Sequence, residues 1–351
     1  MARVRYDQRR LEQAARIADE AVQRDKLPNI AIVCGDRERR FWSHVAPGAD
    51  GVTLDSIFPI ASITKPIIAT AMMQLVEQGR LLLSDLVASF VPEFAQNGKE
   101  RVTVWQLLTH TSGLIEPNEA FAALARRGAP RAAYLDPACA AGLRFEPGSQ
   151  YEYGNIGFVL LAELITRLSG QPYPEYLREH IFTPLGMRDT AFGPIDRSRA
   201  APNHKFGDPA YEAYYHTLAA PHGGLWSSAA DLLALGQAFL TGGSTAGERL
   251  LSPAAWEAMT RLHTDGLMRL VDGQLKQAVS GLGWAKRMPT NVILASERSF
   301  GHGGGTGCFL WIDPDWDLVF VFLSSRWGSD HDVPQRAINA VYGALERAES
   351  P

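Results

Sequence analysis

The sequence predicts a mixed α/β protein in which one sheet is assembled from both ends of the chain and a long, mostly helical stretch lies between them. Three observations carry this expectation. Strand-like apolar runs stand near the two ends, at residues 29–34 and 40–45 and again at 308–312 and 317–323. Between about 59 and 275 the apolar residues recur at helical spacing instead. No Pro-, Gly- or Ser-rich linker separates the two textures, which fits an inserted lobe better than consecutive domains. The expected division is therefore 1–58 together with 276–351 as a sheet lobe, and 59–275 as a mostly helical lobe.

Residues 7–25 place Leu11, Ala14, Ala15, Ala18, Ala21 and Val22 on a thin apolar stripe, a helix that Pro28 ends. Two strands follow, joined across Gly35-Asp36-Arg37. Ile67, Ile68, Ala71, Met72, Leu75 and Val76 define the buried face of a helix over 66–80 that closes at Gly79. Pro66 is tolerated only in a first turn, where N–H groups lack intrahelical partners. That puts Ser62 at the helix N-terminus, the positive end of the dipole. Residues 83–87 and 90–94 suggest a short helix and a turn, and 102–113 a short helix capped by glycine. A turn over 146–155 opens an apolar helix over 156–168, closed by Gly170. Residues 184–187 form a tight loop, and 222–231 lead into a helix over 232–240. A glycine loop at 242–247 and a capped helix start at Ser252 come next. Strand texture returns at 281–286, 291–295, 308–312 and 317–323, with Asp313-Pro-Asp-Trp316 as a hairpin turn, before a closing amphipathic helix over 333–346.

Composition narrows the function. Of 351 residues, 46% are hydrophobic and 21% charged, the balance of a globular chain with a sizeable core. A net charge of -4 offers no basic surface for nucleic acid or an anionic membrane. The N-terminus is polar with no apolar h-region, and no run approaches the ~18 apolar residues of a membrane span, so a cytoplasmic protein is expected. Cys34, Cys139 and Cys308 are too scattered for a disulfide framework and read as core residues. The histidines show no H-E-x-x-H or similar cluster, so neither metal nor cofactor is expected.

Three stretches carry chemistry: Ser62-Ile-Thr-Lys65, Tyr153-Gly-Asn155, and Phe300-Gly-His-Gly-Gly-Gly-Thr-Gly307. A serine hydroxyl is a poor nucleophile until a neighbouring base takes its proton. A lysine three residues on, sharing a helix face, can serve if its surroundings lower its pKa from about 10.4. Each stretch also has an ordinary reading. Ser62 and Lys65 suit a solvated helix start, Tyr153 a half-buried aromatic, and Asn155 an N-cap for the next helix. His110 is either a base or a helix-end histidine bonded to backbone. His302-Gly-Gly-Gly305 matches the oxyanion motif of α/β-hydrolase lipases, but no G-x-S-x-G accompanies it; nor does Lys-Ser/Thr follow the glycines, as a phosphate loop requires.

Taken together, in this order, the three stretches resemble the boxes of the serine β-lactamase and penicillin-binding-protein superfamily, closest to the class C-like branch with its family VIII carboxylesterases. The resemblance spans about 27–345 and extends to 107–113, 223–231 and 311–314. It implies a mainly antiparallel sheet flanked by helices, an inserted all-helical lobe, and an active site in the cleft between them. By the same resemblance Ser62 is the nucleophile, Lys65 and Tyr153 share its proton, and the N–H groups of Ser62 and Gly305 form the oxyanion hole. Asn155, His302, Gly303 and Gly304 bind substrate. The pocket rim is expected from 115–140 and 205–225. One departure matters. The third box carries His302 followed by glycine, where β-lactamases carry a lysine followed by Thr or Ser and then Gly. A mostly neutral histidine weakens the anion site, which favours short-chain carboxylic esters, cleaved through an acyl-serine, over β-lactams. The alternatives are a β-lactamase, a D-Ala carboxypeptidase or aminopeptidase, an acyltransferase, or a non-catalytic binding module on the same fold. The implied partner is a small-molecule ester or amide; oligomeric state leaves no mark in the sequence.

Overall fold

The computed structural model describes residues 4–347 except 195, 205–208, 245–246, 272, 287–292 and 330. Its centre is a six-stranded sheet. From one edge to the other run Arg40–Ala46, Ile30–Gly35, Leu318–Leu323, Phe309–Asp313, Phe300–Gly303 and Ala285–Lys286. Every neighbouring pair is antiparallel. The two ends of the chain meet where Ile30–Gly35 pairs with Leu318–Leu323. Those two strands are buried at every residue, so they read as unbroken apolar runs rather than as alternation.

The alternation reappears in the packing. Val319, Val321 and Leu323 face one core with the helices Thr64–Glu77 and Ala229–Leu240. Leu318, Phe320 and Phe322 face the other, with Leu11, Ala14 and Ala18 of the helix Gln8–Gln23 and with Ala337, Ile338 and Val341 of the helix Asp332–Gly343. Asp7 caps the first of these terminal helices by accepting the Arg9 N–H at 2.8 Å. Cys34, Cys139 and Cys308 are buried free thiols.

The stretch 59–275 is mostly helical, as its periodicity indicates, but it also carries strand. Ile57–Pro59, Leu225–Ser228 and Ala191–Phe192 form a small sheet, and Met268–Val271 with Gln274–Gln277 a separate hairpin. Several local expectations shift. The short helix expected at 83–87 is replaced by 3-10 turns at Val87–Ser89 and Pro92–Phe94. The helix Val104–Leu108 ends before its expected glycine cap, and His110 turns left-handed (φ 58°). Helices Asn118–Arg126, Leu135–Ala140 and Pro209–Leu218 fall where the sequence pattern was weakest. Of the strand expected at 281–286 only Ala285–Lys286 forms. Of the one expected at 291–295, residues 291 and 292 lie outside the described residues and 293–295 are not strand. Two residues of the glycine loop at 242–247, 245 and 246, also lie outside them. Among the described residues no helix is long and apolar enough to cross a membrane.

Asp313 shows how the sheet lobe is fastened. Wholly buried, its carboxylate accepts from Ser296 N–H at 2.8 Å, Ser296 Oγ at 2.6 Å and the Tyr342 hydroxyl at 2.9 Å. One acid thus ties the hairpin strand to a loop and to the C-terminal helix. Asp313→Ala strands those donors and should cost roughly 3 kcal/mol of stability in urea unfolding. A loss below about 0.5 kcal/mol, the usual range for a surface change, would mean the clamp is not structural.

Candidate active site

Ser62 sits in the 3-10 turn Ala61–Ile63 that runs directly into the helix Thr64–Glu77. The turn is held by its own backbone and by the small sheet. Ile60 N–H donates to Leu225 O at 3.0 Å, Thr64 Oγ1 donates to Ala61 O at 2.7 Å, and Leu225 N–H donates to Thr64 Oγ1 at 3.2 Å. Ala61 adopts φ 45°, a left-handed conformation that costs a non-glycine residue free energy and persists only where surroundings enforce it. Pro66 falls in the first turn, where its missing N–H matters least.

Lys65 is fully buried. Its Nζ donates to Ser62 Oγ at 3.1 Å, Asn155 Oδ1 at 2.9 Å and His222 O at 2.9 Å. Three acceptors use all three ammonium hydrogens. Burial still disfavours the charge and pushes its pKa down to about 7, against a smaller upward pull from Glu116. The Tyr153 ring lies 4.8 Å from Nζ, and its hydroxyl hydrogen-bonds the Ser62 side chain. Although 45% of Tyr153 is exposed, its hydroxyl is held in the cleft, where burial raises its pKa above the ordinary tyrosine value. Burial thus favours the proton on Tyr153 and eases its loss from Lys65.

Asn155, for which an N-cap reading stood open, does not cap the helix Ile156–Ser169 with its side chain. That amide is turned onto Lys65, and the capping is done by Glu116, whose Oε1 accepts the N–H groups of Asn155 and Ile156. His110 is neutral, its pKa depressed by burial and by the nearby Lys65 and His302. Its Nδ1 accepts the Gly154 N–H at 3.3 Å and its ring lies 4.6 Å from that of Tyr153. Of its two readings the backbone-bonded one holds.

The third motif is not an edge strand throughout. Phe300 and Gly301 pair with Lys286 and Ala285, which leaves only His302 and Gly303 open on that side. His302 Nδ1 bonds Gly303 O at 2.7 Å, and burial followed by the charge of Lys65 drives its pKa down to about 3. The turn after the strand is fastened beside the residues that precede Ser62. Thr306 Oγ1 donates to Pro59 O at 2.7 Å, and Gly304 lies so close that a Cβ there would sit 2.4 Å from Ile60 O. Gly305, next in line, faces open space.

Ser62, Tyr153, His302, Gly303 and Gly305 line one cleft of about 440 Å³. Lys65, Asn155 and Gly304 are not among its lining residues. The rim differs from expectation. Among the described residues Arg269, Val279, Ser280, Gly283, Trp284, Ala285, Lys286 and His331 line it, and none of 115–140 or 205–225 does. Residues 205–208 lie outside the described residues. A larger hollow of about 610 Å³ around Arg178, Phe182 and Phe192 contains none of the three motifs.

The β-lactamase family model matches residues 14–344. The chain belongs to that family. It is 27% identical over 328 residues to an Escherichia coli K12 protein provisionally named D-alanyl-D-alanine carboxypeptidase, across 82% of this chain and 73% of that one. Among solved structures it superposes on a penicillin-binding protein homologue from Caulobacter crescentus with TM-score 0.79 and 22% identity, over 98% of this chain and 100% of the other. A family VIII carboxylesterase gives TM-score 0.78 and 20% identity, over 98% and 100%. The fold is that of β-lactamases and penicillin-binding proteins, and the family is one of hydrolases.

Within this β-lactamase-family site the sequence reading missed Glu116, Arg269 and Lys286. None belongs to a motif or repeats at a period. Only the nearness of Glu116 to the 107–113 stretch hinted at it.

The buried amine has a direct signature. With lysines labelled at Cε, one NMR resonance should titrate near pH 7 and vanish in Lys65→Met. Lys286, lowered by burial to about 8, should give a second shifted resonance, and if the one lost in Lys65→Met titrated at the ordinary value of about 10.4 the burial argument would fail.

Proposed function

We propose that the protein is a serine hydrolase that cleaves small carboxylic esters through an acyl-Ser62 intermediate. The observation that carries this reading is the 3.1 Å contact of Ser62 Oγ with a lysine whose pKa lies at about 7, so that a neutral amine is available at neutral pH. Ser62 Oγ attacks the acyl carbonyl as its proton passes to Lys65 Nζ. The oxyanion forms beside the N–H groups of Ser62 and Gly305, where one donor is worth roughly 3 kcal/mol. As the tetrahedral species collapses, the C–O bond to the alcohol breaks. The leaving oxygen takes a proton from Tyr153, which recovers one from protonated Lys65; the acylated Ser62 oxygen carries no proton and takes no part in this transfer. Water then repeats the sequence, with the acid freed and Ser62 restored.

The ester preference rests on His302. Where β-lactamases place a lysine this chain places a neutral imidazole, so that position carries no cation. The carboxylesterase among the structural neighbours fits this reading, though its likeness speaks to fold. A second reading has its own support. Arg269 and Lys286 line the cleft and could meet a substrate carboxylate, as a D-alanyl-D-alanine carboxypeptidase requires. The carboxypeptidase name of the Escherichia coli relative agrees with it.

Side-by-side rates on p-nitrophenyl acetate and butyrate, a chromogenic cephalosporin and a D-Ala-D-Ala peptide separate these readings. The esters should be turned over fastest, and a strong preference for the cephalosporin or the peptide would overturn the ester assignment. Ser62→Ala should lower kcat by roughly 10⁴-fold or more with its melting curve unchanged. A fluorophosphonate should add once, at Ser62; no adduct would favour a binding module that kept the fold. Because protonated Lys65 cannot accept a proton, kcat/KM should fall as pH drops through about 7, close to tenfold per further unit. A flat profile from pH 5 to 8 would remove Lys65 from the base role.

A further inference from the structure

We infer that Glu116 and Gly154 are a coupled positioning pair: the Glu116 carboxylate holds the backbone of the Tyr153–Asn155 turn, and the absence of a side chain at 154 makes the room it occupies. The functional half of this inference rests on the acyl-transfer reading, because that turn carries Tyr153 and Asn155.

The geometry leads from one residue to the next. Glu116 Oε1 accepts the N–H groups of both Asn155 and Ile156, the latter at 2.9 Å. These are orphan donors at the start of the 14-residue helix Ile156–Ser169, where a negative charge is favoured by the dipole. A Cβ on Gly154 would lie 2.8 Å from that same oxygen. A side chain at 154 would therefore push the carboxylate end away from the two N–H groups it caps. The glycine is thus the counterpart of the acid. With Glu116 doing the capping, the Asn155 side chain is released to accept from Lys65 at 2.9 Å, and Lys65 reaches Ser62.

Glu116 is itself held on both flanks. Ile115 N–H donates to Gly142 O at 3.0 Å, Arg144 N–H to Gly113 O at 2.7 Å, and Asn118 N–H to the Glu116 carbonyl at 2.9 Å. The carboxylate therefore approaches the turn from a loop anchored elsewhere.

The pair also has an electrostatic role. Facing Lys65 are His110 beyond the helix Val104–Leu108, Tyr153 on the turn, His222 through its carbonyl, and His302 on the strand Phe300–Gly303, with Tyr151 beside Tyr153. Tyr151 in turn meets Arg269 of the strand Met268–Val271, and Lys286 lines the far side of the cleft. The three histidines are neutral through burial, and both tyrosines keep their protons. Glu116 supplies the negative charge that favours the protonated amine.

Two measurements test the pair, one of them independent of any substrate. In a melting-temperature cycle, Gly154→Ala and Glu116→Ala should each destabilise, and the double variant should be more stable than their sum by more than about 2 °C, because the collision needs both partners. Additive losses would overturn the coupling. Glu116→Gln keeps an acceptor oxygen but removes the charge. It should retain ester turnover above neutral pH while the acid limb of kcat/KM moves down by about half a pH unit or more. A limb left in place would reduce Glu116 to a structural cap. If the wild type hydrolyses no ester, the functional reading fails while the melting cycle still decides the pair.

Discussion

A lysine amine with no exposed surface is the constraint to which the rest of this site answers. Taking an ammonium out of water is costly unless each hydrogen finds an acceptor. Lys65 finds three, and each comes from a different part of the chain: its own turn at Ser62, the Tyr153–Asn155 turn, and the backbone at His222. Burial leaves the amine close to even between charged and neutral at neutral pH. That balance makes it usable as a base. A solvated lysine beside the same serine would stay protonated and idle.

The fold supplies those acceptors by fastening irregular backbone to regular structure. The small sheet of Ile57–Pro59 and Leu225–Ser228 brings the Ser62 turn against the segment carrying His222. The glycine turn after His302 is bolted to residues 59 and 60 through Thr306 and the bare backbone of Gly304. The central sheet, closed by pairing the two ends of the chain, gives that turn a rigid base. Left-handed Ala61 and His110 mark where packing imposes conformations that local preference resists.

His302 shifts the electrostatics of the cleft without altering its architecture. A neutral imidazole takes the place of a cation beside Lys65, so the amine is spared a like charge that would lower its pKa further. The cleft's basic residues, Arg269 and Lys286, come instead from other strands, Lys286 from the one paired with the His302 strand. Charge at the rim and neutrality at the centre together define what the pocket can hold.

Most of the architecture was legible from residue pattern. The apolar runs at 30–35 and 318–323 announced buried strands, and the stripe of Leu11, Ala14 and Ala18 a packed helix, because burial writes its period into sequence. Ser62 and Lys65 were readable as residue types at a short helical spacing, whereas Tyr153 and His302 were readable through the resemblance of their stretches to the β-lactamase superfamily. Glu116, Arg269, Lys286 and the His222 carbonyl were not. They act through position, and a backbone carbonyl or a lone acid leaves no residue-type signature. The directions in which Tyr153 and Lys65 shift were also beyond the sequence, since desolvation depends on everything packed around a group. Sequence alone determined which groups could react; only tertiary packing decided which of them holds the proton, because that depends on how far each is removed from water.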